Sequence, residues 1–156
     1  MSHYKDFNSQ LMNYLSIAFS SDTLQFSRVA FHESSGTLLE KVAEQDSVLN
    51  RVRTLRDLKR RLGEGRRCYC LQHPSLPNDP IAFIHVALTP KLAPSLPYLD
   101  ETCREGLAPS HAMFYSVNAP HRALSGLDLA TRIIKLAVQA VQEEFPTVNT
   151  FSTLSP

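Results

Sequence analysis

A strand–helix–strand pattern in the last third of the chain limits the possible folds more than any other feature. Residues 111–118 are rich in aromatic and β-branched side chains, as a buried strand would be. Residues 126–144 repeat apolar side chains at the spacing of one helical face, and Pro146 prevents the helix from continuing. Residues 150–156 then supply a second strand. Two strands joined by a helix predict a parallel pair with a crossover connection.

The start of that helix has the clearest potential for binding. Ser125 is positioned to cap the helix, and Asp128 three residues later completes an approximate capping box. Gly126 allows a close backbone turn, and the unpaired amides of the first turn carry the positive end of the helix dipole. Such a terminus suits a phosphate or pyrophosphate. The spacing alone favours a structural cap, because the charge of Asp128 would repel an anion.

The remaining segments predict helices and strands around this unit. Helical signals occur at 5–18, 37–45 and 54–62, and strand patterns occur at 24–32, 67–73 and 81–89. A turn-rich connection is predicted at 74–80, and an irregular segment at 90–110 with one helical turn near 100–105. The first helix has one rough apolar stripe, formed by Phe7, Leu11, Leu15 and Ala18. This order predicts a mixed α/β sheet in which antiparallel strands precede the crossover.

The composition is that of an ordinary globular domain, with 156 residues, 43% hydrophobic residues and a net charge of +1. This balance gives no general attraction to nucleic acid or a membrane, and no apolar run is long enough to span a bilayer. The three cysteines form no even disulfide framework. Cys68 and Cys70 alternate on one strand face and Cys103 is distant, so we predict reduced, partly buried thiols rather than a zinc site. A reducing compartment such as the cytoplasm follows.

One segment departs from the even distribution of charge. Residues 51–67 hold eight of the sixteen basic residues and only two acidic ones, which gives the segment a net charge of +6. Its apolar residues Val52, Leu55, Leu58 and Leu62 fit one helical face, so a solvated basic face is the main prediction. The alternatives are a patch for a polyphosphate ligand and a nucleic-acid site. The segment lacks aromatic residues for base stacking, which disfavours nucleic acid.

Several sequence blocks together resemble one family. The blocks are Arg66-Arg-Cys-Tyr, Ile84-His-Val-Ala-Leu-Thr89, Phe114-Tyr-Ser, Leu124-Ser-Gly-Leu-Asp-Leu-Ala130, Glu144-Phe-Pro and Phe151-Ser-Thr-Leu-Ser-Pro156. In order and spacing they resemble malonyl-CoA decarboxylase along about residues 10–156. The resemblance implies a catalytic domain of GNAT acetyltransferase-like fold at 23–156, incomplete at its C-terminus. Residues 1–22 are then the remnant of an N-terminal helical domain.

The resemblance also assigns roles to residues. The family's acyl-CoA-binding segment corresponds to Ser125, Gly126, Leu127, Asp128, Leu129, Ala130 and Thr131, with Asp128 where relatives often have glutamate. In the family's fold, coenzyme A lies between two diverging strands with its pyrophosphate at the helix start. Spacing alone favours a structural cap at the start of the last helix, whereas the resemblance favours a ligand site at that position. The family's catalytic serine, in its Leu-Ser-Pro motif, corresponds to Ser155.

The implied reaction is decarboxylation of malonyl-CoA to acetyl-CoA and carbon dioxide, a step of fatty acid metabolism. The thioester carbonyl accepts the electron pair that carbon dioxide leaves behind, so no cofactor and no metal is needed. A serine hydroxyl can hold the carboxylate or the oxyanion, and a histidine can deliver the proton. The alternatives are an acyl-CoA-dependent acyltransferase of the same fold and a non-catalytic module that binds CoA or polyanions.

The family's catalytic histidine lies beyond the Leu-Ser-Pro motif, and none of the six histidines of this chain occupies that position. His85 is in phase with Ile81 and Phe83 on one strand face and is predicted to be a core or sheet histidine. We therefore expect a truncated chain. The implied partners are malonyl-CoA and, for a full-length form, further copies of itself, with no nucleic acid and no membrane. A mitochondrial matrix or peroxisomal location is the alternative to the cytoplasm.

Overall fold

A computed structural model of the chain describes residues 2–47, 52–102 and 108–154. Within these residues, five strands form one mixed sheet, and helices cover both of its faces. The helices are α1 (Ser2–Ala18), α2 (Gly36–Gln45), α3 (Leu55–Arg61), α4 (Leu96–Thr102) and α5 (Leu129–Glu144). The strands are β1 (Gln25–Val29), β2 (Arg66–His73), β3 (Leu76–Thr89), β4 (His111–Asn118) and β5 (Thr150–Thr153).

The strands lie in the sheet in chain order, from β1 to β5. The first three neighbouring pairs are antiparallel, and β4 and β5 are parallel. A parallel pair needs a long connection, which α5 provides between β4 and β5. The predicted mixed sheet, with an antiparallel run before a strand–helix–strand unit, is confirmed.

Local sequence signals explain where α2 and α3 begin. Ser35 caps α2, because its hydroxyl accepts the backbone N–H of Leu38 at 3.2 Å. Thr54 caps α3 in a reciprocal capping box, in which the Asp57 carboxylate accepts the backbone N–H of Thr54 at 3.2 Å. Both helices lie within two residues of the predicted boundaries, so these two predictions are confirmed.

Alternate residues of the strands contribute to two cores on opposite faces of the sheet. On one face, α5 packs Ile133, Ala137 and Val141 against strand residues that include Ile84 and Phe114. On the other face, α2 and α3 pack against strand residues that include Cys68, Cys70 and Phe83. The side chains of β4 alternate between the first core, which contains Ala112 and Phe114, and a smaller separate cluster, in which Met113 and Tyr115 pack with Leu99 of α4.

Several segments differ from the sequence prediction. The strand β1 ends at Val29 rather than at 32. The strand β3 begins at Leu76 rather than at 81, so the predicted connection at 74–80 is mostly strand. Register shifts between Leu71 and His73 let Pro80, which has no N–H to donate, remain in the ladder. The helical turn predicted near 100–105 is α4, which begins earlier, and residues 103–107 lie outside the described residues.

Helix α1 forms as predicted, but its apolar residues do not make one buried stripe. Leu15 packs against the core beneath α5, whereas Phe7 and Leu11 are exposed. The chain after the helix is fixed to the body, because Arg132 donates to the backbone carbonyl of Phe19 at 2.9 Å. Helical spacing predicted the helix correctly, while packing decided which of its residues are buried.

Candidate functional site

The described pairing of β4 with its parallel neighbour β5 covers the first half of β4. Their pairing runs from His111 opposite Thr150 to Phe114 opposite Thr153. One further hydrogen bond joins the Leu154 N–H to the Phe114 carbonyl at 2.9 Å. Residues 115–118 of β4 continue past this point toward the start of α5. In open α/β sheets, ligands bind beyond the carboxyl ends of the strands, which is where residues 115–118 lead.

The strand β4 also carries an irregularity at that point. His85 of β3 lies opposite Ser116, and Val86 lies opposite Phe114, so Tyr115 is an extra residue in β4. A bulge of this kind bends a strand and leaves backbone groups outside the ladder. The bulge therefore lies directly after Phe114, the residue of β4 that pairs with Thr153 of β5.

The predicted start of the last helix contains two elements rather than one. Residues 122–127 form a 3-10 turn, and α5 begins at Leu129 after a turn at Asp128. The prediction that Ser125 is the N-cap of a helix from Gly126 is therefore wrong. The cause is the backbone of Asp128, which has φ 51° and ψ 39° and separates the 3-10 turn from α5.

The first turn of α5 has no side-chain cap. The carboxylate of Asp128 accepts a hydrogen bond from the Thr131 hydroxyl at 2.7 Å, and no side chain at Asp128 caps a first-turn amide. The first amides of an α-helix have no intrahelical acceptor, and they carry the positive end of the dipole. The turn thus keeps the backbone donors that an anion requires, with one carboxylate held nearby by Thr131.

Gly126 has a packing role that the sequence did not reveal. A Cβ atom at this position would lie 2.5 Å from the Cε of Met12. The glycine therefore lets α1 approach the 3-10 turn closely, and its backbone does not need a left-handed conformation. The contact fixes the turn between α1 and the body of the protein.

Most of the predicted acyl-CoA-binding segment is accessible. Leu127 is half-buried and Leu129 is buried in the core, so these two offer a ligand chiefly their backbone. The exposed members of the segment are Ser125, Gly126, Asp128, Ala130 and Thr131. Ser155, the predicted catalytic residue, lies outside the described residues; it follows Leu154, the last residue bonded to β4.

A buried cluster of polar side chains lies on the face of the sheet opposite α5. We call Asp46, Arg61, His85, Ser116 and Asn118 the Asp46 cluster. Asp46, which ends α2, accepts hydrogen bonds from the Ser116 hydroxyl at 2.9 Å and from Asn118 Nδ2 and Arg61 Nη1, each at 3.3 Å. A helix C-terminus disfavours negative charge, so these donors stabilise a carboxylate in an otherwise unfavourable position.

Sequence analysis did not single out this cluster apart from His85. Its members come from α2, α3, β3 and β4 and meet only through the fold. The available signal was weak: His85 and Asn118 are polar residues inside segments that otherwise predict buried strands.

His85 is a core residue, as predicted. Its Nε2 lies 3.6 Å from Asp46 Oδ2, and its Nδ1 has no hydrogen-bond partner among the described residues. Burial lowers the pKa of His85 to about 4, although the negative charge of Asp46 acts in the opposite direction. The imidazole is therefore neutral near pH 7, and protonating it requires an acidic medium.

This low pKa predicts a loss of stability in acid. As pH falls from 6.5 to 4, the unfolded chain binds a proton at His85 before the native chain does, so the free energy of unfolding decreases. With the native pKa at about 4, the contribution of His85 to this decrease is about 3 kcal/mol. Urea denaturation at several pH values would measure it.

Two variants test this prediction: His85→Gln removes the buried imidazole, and His32→Gln is the matched control. His32 is exposed on the surface, so its removal should leave the pH dependence of stability unchanged. The His85→Gln chain should show a flatter profile between pH 6.5 and 4. Equal profiles for the two variants would contradict the assignment of the acid sensitivity to His85.

The basic segment is not a single solvated face. Arg53, Arg56 and Arg60 are exposed, as predicted for such a face. Arg61 belongs to the Asp46 cluster, and Arg66 is buried with its guanidinium 4.9 Å from the centre of the Tyr115 ring. The prediction holds for the exposed side of α3 and is wrong for these inner arginines, because β2 carries the end of the segment into the sheet. Arg51 lies outside the described residues.

Arg67, the last residue of the segment, forms an ion pair with Glu144 at the end of α5. Its Nε donates to Oε2 of Glu144 at 2.9 Å and to Oε1 at 3.1 Å. The hydrogen bond from Arg67 lowers the pKa of Glu144. This pair connects β2 to the C-terminal end of α5, so Arg67 has a structural partner.

Cys68 and Cys70 lie on the same face of β2 and belong to one core, as predicted. Burial raises the pKa of both thiols, which keeps them protonated and unreactive near neutral pH. Both are free and more deeply buried than expected. Cys103 lies outside the described residues. The described parts of the chain contain no group of three or more His, Cys, Asp or Glu side chains placed to hold a metal ion.

The sheet order, the parallel last pair and the uncapped turn before α5 define a protein of the N-acetyltransferase fold. A ribosomal-protein-alanine N-acetyltransferase from Brucella melitensis biovar Abortus 2308 superposes with a TM-score of 0.54 at 12% identity. The match covers 85% of this chain and 81% of that one. At such low identity, the likeness establishes the fold alone.

Within that fold, the chain belongs to the malonyl-CoA decarboxylase family. The family model of the malonyl-CoA decarboxylase C-terminal domain matches residues 23–156. Mitochondrial malonyl-CoA decarboxylase of Rattus norvegicus is 37% identical over 159 residues, covering 99% of this chain. The crystal structure of malonyl-CoA decarboxylase from Agrobacterium vitis superposes on 97% of the chain with a TM-score of 0.83 at 27% identity. The family predicted from the sequence blocks is confirmed.

The chain spans about a third of the length of these relatives. The match covers 32% of the rat protein and 37% of the Agrobacterium chain. Among the described residues, no helix has the length and hydrophobicity that crossing a bilayer requires.

Proposed function

We propose that this chain supplies the acyl-CoA-binding part of a protein that decarboxylates malonyl-CoA to acetyl-CoA and carbon dioxide. Membership of the malonyl-CoA decarboxylase family is the observation that carries the proposal. The uncapped turn at the start of α5, which follows the carboxyl end of β4 in the chain, supports it structurally. Its substrate is malonyl-CoA, and it needs no cofactor besides this thioester.

The reaction requires little covalent chemistry from the protein. The bond between the carboxylate and the α-carbon breaks, and its electron pair moves to the thioester carbonyl, which becomes an enolate. The enolate carbon then takes a proton to give acetyl-CoA. The protein must orient the carboxylate, stabilise the negative oxygen and deliver that proton. We assign to Ser155 the hydrogen bond that holds the carboxylate or the oxyanion.

The segment from Ser125 to Thr131 is proposed to bind the pyrophosphate of coenzyme A. Its backbone amides are uncapped, most of its residues are exposed, and Arg122 in the same 3-10 turn adds an exposed positive charge. The Asp128 carboxylate opposes an anion, but its hydrogen bond to Thr131 fixes it in one place. Binding then depends on amide donors rather than on a cluster of basic side chains.

A pair of opposite charges at Ser125 tests this site. Ser125→Glu should raise the Kd for malonyl-CoA by about fivefold, because a carboxylate near the pyrophosphate costs about 1 kcal/mol in water. Ser125→Lys should leave the affinity unchanged or improve it. Isothermal titration calorimetry with malonyl-CoA and with coenzyme A would measure both effects, and added salt should reduce them.

The same substitutions at Gln142, exposed on α5 away from its start, serve as the control. Neither Gln142→Glu nor Gln142→Lys should change the affinity by more than about twofold, since charges beyond a Debye length are screened. Equal affinities for Ser125→Glu and Ser125→Lys would exclude this turn as the pyrophosphate site.

An acyltransferase that uses acetyl-CoA is the second candidate, favoured by the fold shared with N-acetyltransferases. The two functions differ in their products. A decarboxylase releases carbon dioxide from malonyl-CoA without an acceptor, whereas an acyltransferase needs an amine and releases free coenzyme A. Product analysis of malonyl-CoA and acetyl-CoA incubations, with and without an amine, separates them.

We propose no nucleic-acid or membrane partner for this chain. Within the basic segment, Arg61 and Arg67 pair with Asp46 and Glu144, and Arg66 is buried. Charges used in this way contribute little to a phosphate-binding surface. For the compartment we retain the cytoplasm, with the mitochondrial matrix as the alternative, since the rat relative is named as mitochondrial.

A further inference from the structure

The side chain of Asn118 ties the carboxyl end of β4 to the end of α2. Its Oδ1 accepts hydrogen bonds from the backbone N–H of Ser47 at 3.0 Å and from the Ser47 hydroxyl at 2.9 Å. Its Nδ2 donates to Ser116 Oγ at 2.8 Å and to Asp46 Oδ1 at 3.3 Å. Asn118 is only 4% exposed, so these four bonds use every hydrogen-bonding position of a buried amide.

The partners fix the orientation of this amide. The backbone N–H of Ser47 can only donate, so the amide oxygen must face it. The carboxylate of Asp46 can only accept, so the amide nitrogen must face the carboxylate. An aspartate at position 118 would place an oxygen against Asp46 instead, where two acceptors of like charge repel.

The extra residue of β4 brings Asn118 to this position. In a regular strand, Phe114, Ser116 and Asn118 would share one face of the sheet. Phe114 instead packs in the core beneath α5, whereas Ser116 and Asn118 donate to a carboxylate on the opposite face. One additional residue, Tyr115, exchanges the faces of the residues that follow it. The hydrogen bonds of Asn118 therefore hold the part of β4 that lies after the bulge.

Three residues separate Asn118 from the 3-10 turn in which the proposed binding segment begins. The middle one is Pro120, whose ring fixes φ and stiffens the connection. The last one is His121, whose carbonyl accepts the Leu124 N–H at 2.9 Å as the turn begins. The position of Asn118 is therefore passed on to the turn.

The turn has further supports, so loss of the Asn118 bonds should displace it rather than unfold it. Leu124 is buried in the core, and α1 contacts Gly126. His121 Nε2 lies 3.3 Å from Asp79 Oδ1, at a contact that is partly exposed. Asn118 differs from these supports because it holds the strand itself, before the chain leaves the sheet.

We infer that Asn118 is a positioning residue for the proposed acyl-CoA site. Its hydrogen bonds hold the end of β4 against the end of α2, and the short connection carries that placement to the binding turn. The inference rests on the proposed function, because it concerns the same site. It adds a buried amide that does not touch the ligand but sets where the backbone donors lie.

Asn118→Asp tests the inference, because it keeps the shape of the side chain and replaces its donor by an acceptor. If the displaced turn occupies its binding position about a tenth of the time, the Kd for malonyl-CoA and for coenzyme A should each rise about tenfold. Calorimetry should show the same factor for both ligands, since the turn binds the part that they share. In the free chain, the amide resonances of residues 122–128 should also shift, which a loss of stability alone would not cause.

Exchange of the two side chains provides the matched rescue. In Asp46→Asn combined with Asn118→Asp, the amide at position 46 donates to the carboxylate at position 118, and the total charge is unchanged. The Ser116 hydroxyl keeps a carboxylate to donate to, and Arg61 keeps an oxygen at position 46. Both Kd values should return to within about threefold of the unmodified chain, because the two substitutions are coupled.

Val141→Ala is the control for a general loss of stability. Val141 is fully buried near the end of α5, about three turns after its start. Its truncation leaves a cavity and lowers the urea midpoint. Because the folded chain keeps its turn in place, both Kd values should stay within about twofold.

An Asn118→Asp chain that is folded and binds malonyl-CoA as tightly as the unmodified chain would overturn the inference and leave the proposed function standing. An equal loss of affinity in Val141→Ala would also overturn it. If the unmodified chain does not bind malonyl-CoA, the proposed function fails and this inference fails with it.

Ser47→Ala keeps the inference testable if Asn118→Asp does not fold. It removes one of the four hydrogen bonds at an exposed residue, so the chain should remain folded. Both Kd values should rise about threefold, in line with the modest net contribution of one hydrogen bond. Unchanged Kd values in this variant would contradict the role given to Asn118.

Discussion

Replacing Ser155 by alanine is expected to lower the rate of carbon dioxide release from malonyl-CoA by about 100- to 1,000-fold, the usual cost of removing one donor to a developing oxyanion. The affinity for malonyl-CoA should stay within about threefold, because most of the binding free energy comes from the coenzyme A moiety. The rate is measured as the release of labelled carbon dioxide by an active protein that contains this chain. The affinity is measured by calorimetry.

Ser152→Ala is the matched control for this prediction. Ser152 lies on β5, three residues before Ser155 in the sequence, and is only half-buried. Its loss should leave turnover within about twofold, as expected for a surface change away from the reacting atoms. Turnover that is unchanged in Ser155→Ala would remove this serine from the mechanism. A parallel fall in Ser152→Ala would show that β5, rather than the hydroxyl, is responsible.

Replacing Asp46 by alanine is expected to lower the free energy of unfolding by about 3–5 kcal/mol, because it leaves buried donors without their acceptor. Arg61 would lose its ion pair at 3.3 Å, and Ser116 would lose a hydrogen bond at 2.9 Å. Urea denaturation at pH 7 measures the loss. The exposed Asp22→Ala provides the control, with an expected change within about 0.5 kcal/mol.

A second variant keeps this prediction testable if Asp46→Ala does not fold. Arg61→Met removes the positive charge that loses its ion pair with Asp46, so Asp46→Ala combined with Arg61→Met should be more stable than Asp46→Ala alone. A cost below about 1 kcal/mol for Asp46→Ala would contradict the role given to the carboxylate, since that is the size of a surface effect.

Much of the fold could be predicted from local sequence signals. The apolar spacing of α5 and the capping residue of α3 are local signals, because each involves only residues close together in the sequence. The aromatic and β-branched run of β4 predicted its bounds correctly. Element order then led to the mixed sheet, because a strand–helix–strand unit after a hairpin allows few arrangements.

The details that sequence analysis missed depend on contacts between distant parts of the chain. The packing role of Gly126 comes from the close approach of Met12 on α1. The turn at Asp128 moves the start of α5 beyond Ser125. The Asp46 cluster joins residues up to 72 positions apart, as in the bond from Asn118 to Asp46. No periodicity or motif in the sequence indicates that residues so far apart will be in contact.

The candidate site was predicted in the same uneven way. Spacing singled out the start of the last helix but favoured a structural cap there, and the resemblance to the family then assigned the acyl-CoA segment to 125–131. The uncapped first turn of α5 and the bulge at Tyr115 emerged only with the fold, because the first depends on the backbone of Asp128 and the second on how β4 pairs with β3.

Nuclear magnetic resonance of the nitrogen-15-labelled chain, titrated with malonyl-CoA, tests the central claim most directly. If the start of α5 binds the thioester's pyrophosphate, the largest shifts of amide resonances will occur between Ser125 and Thr131. Shifts confined to the exposed arginines of α3, or no shifts at saturating malonyl-CoA, would contradict the proposed acyl-CoA site.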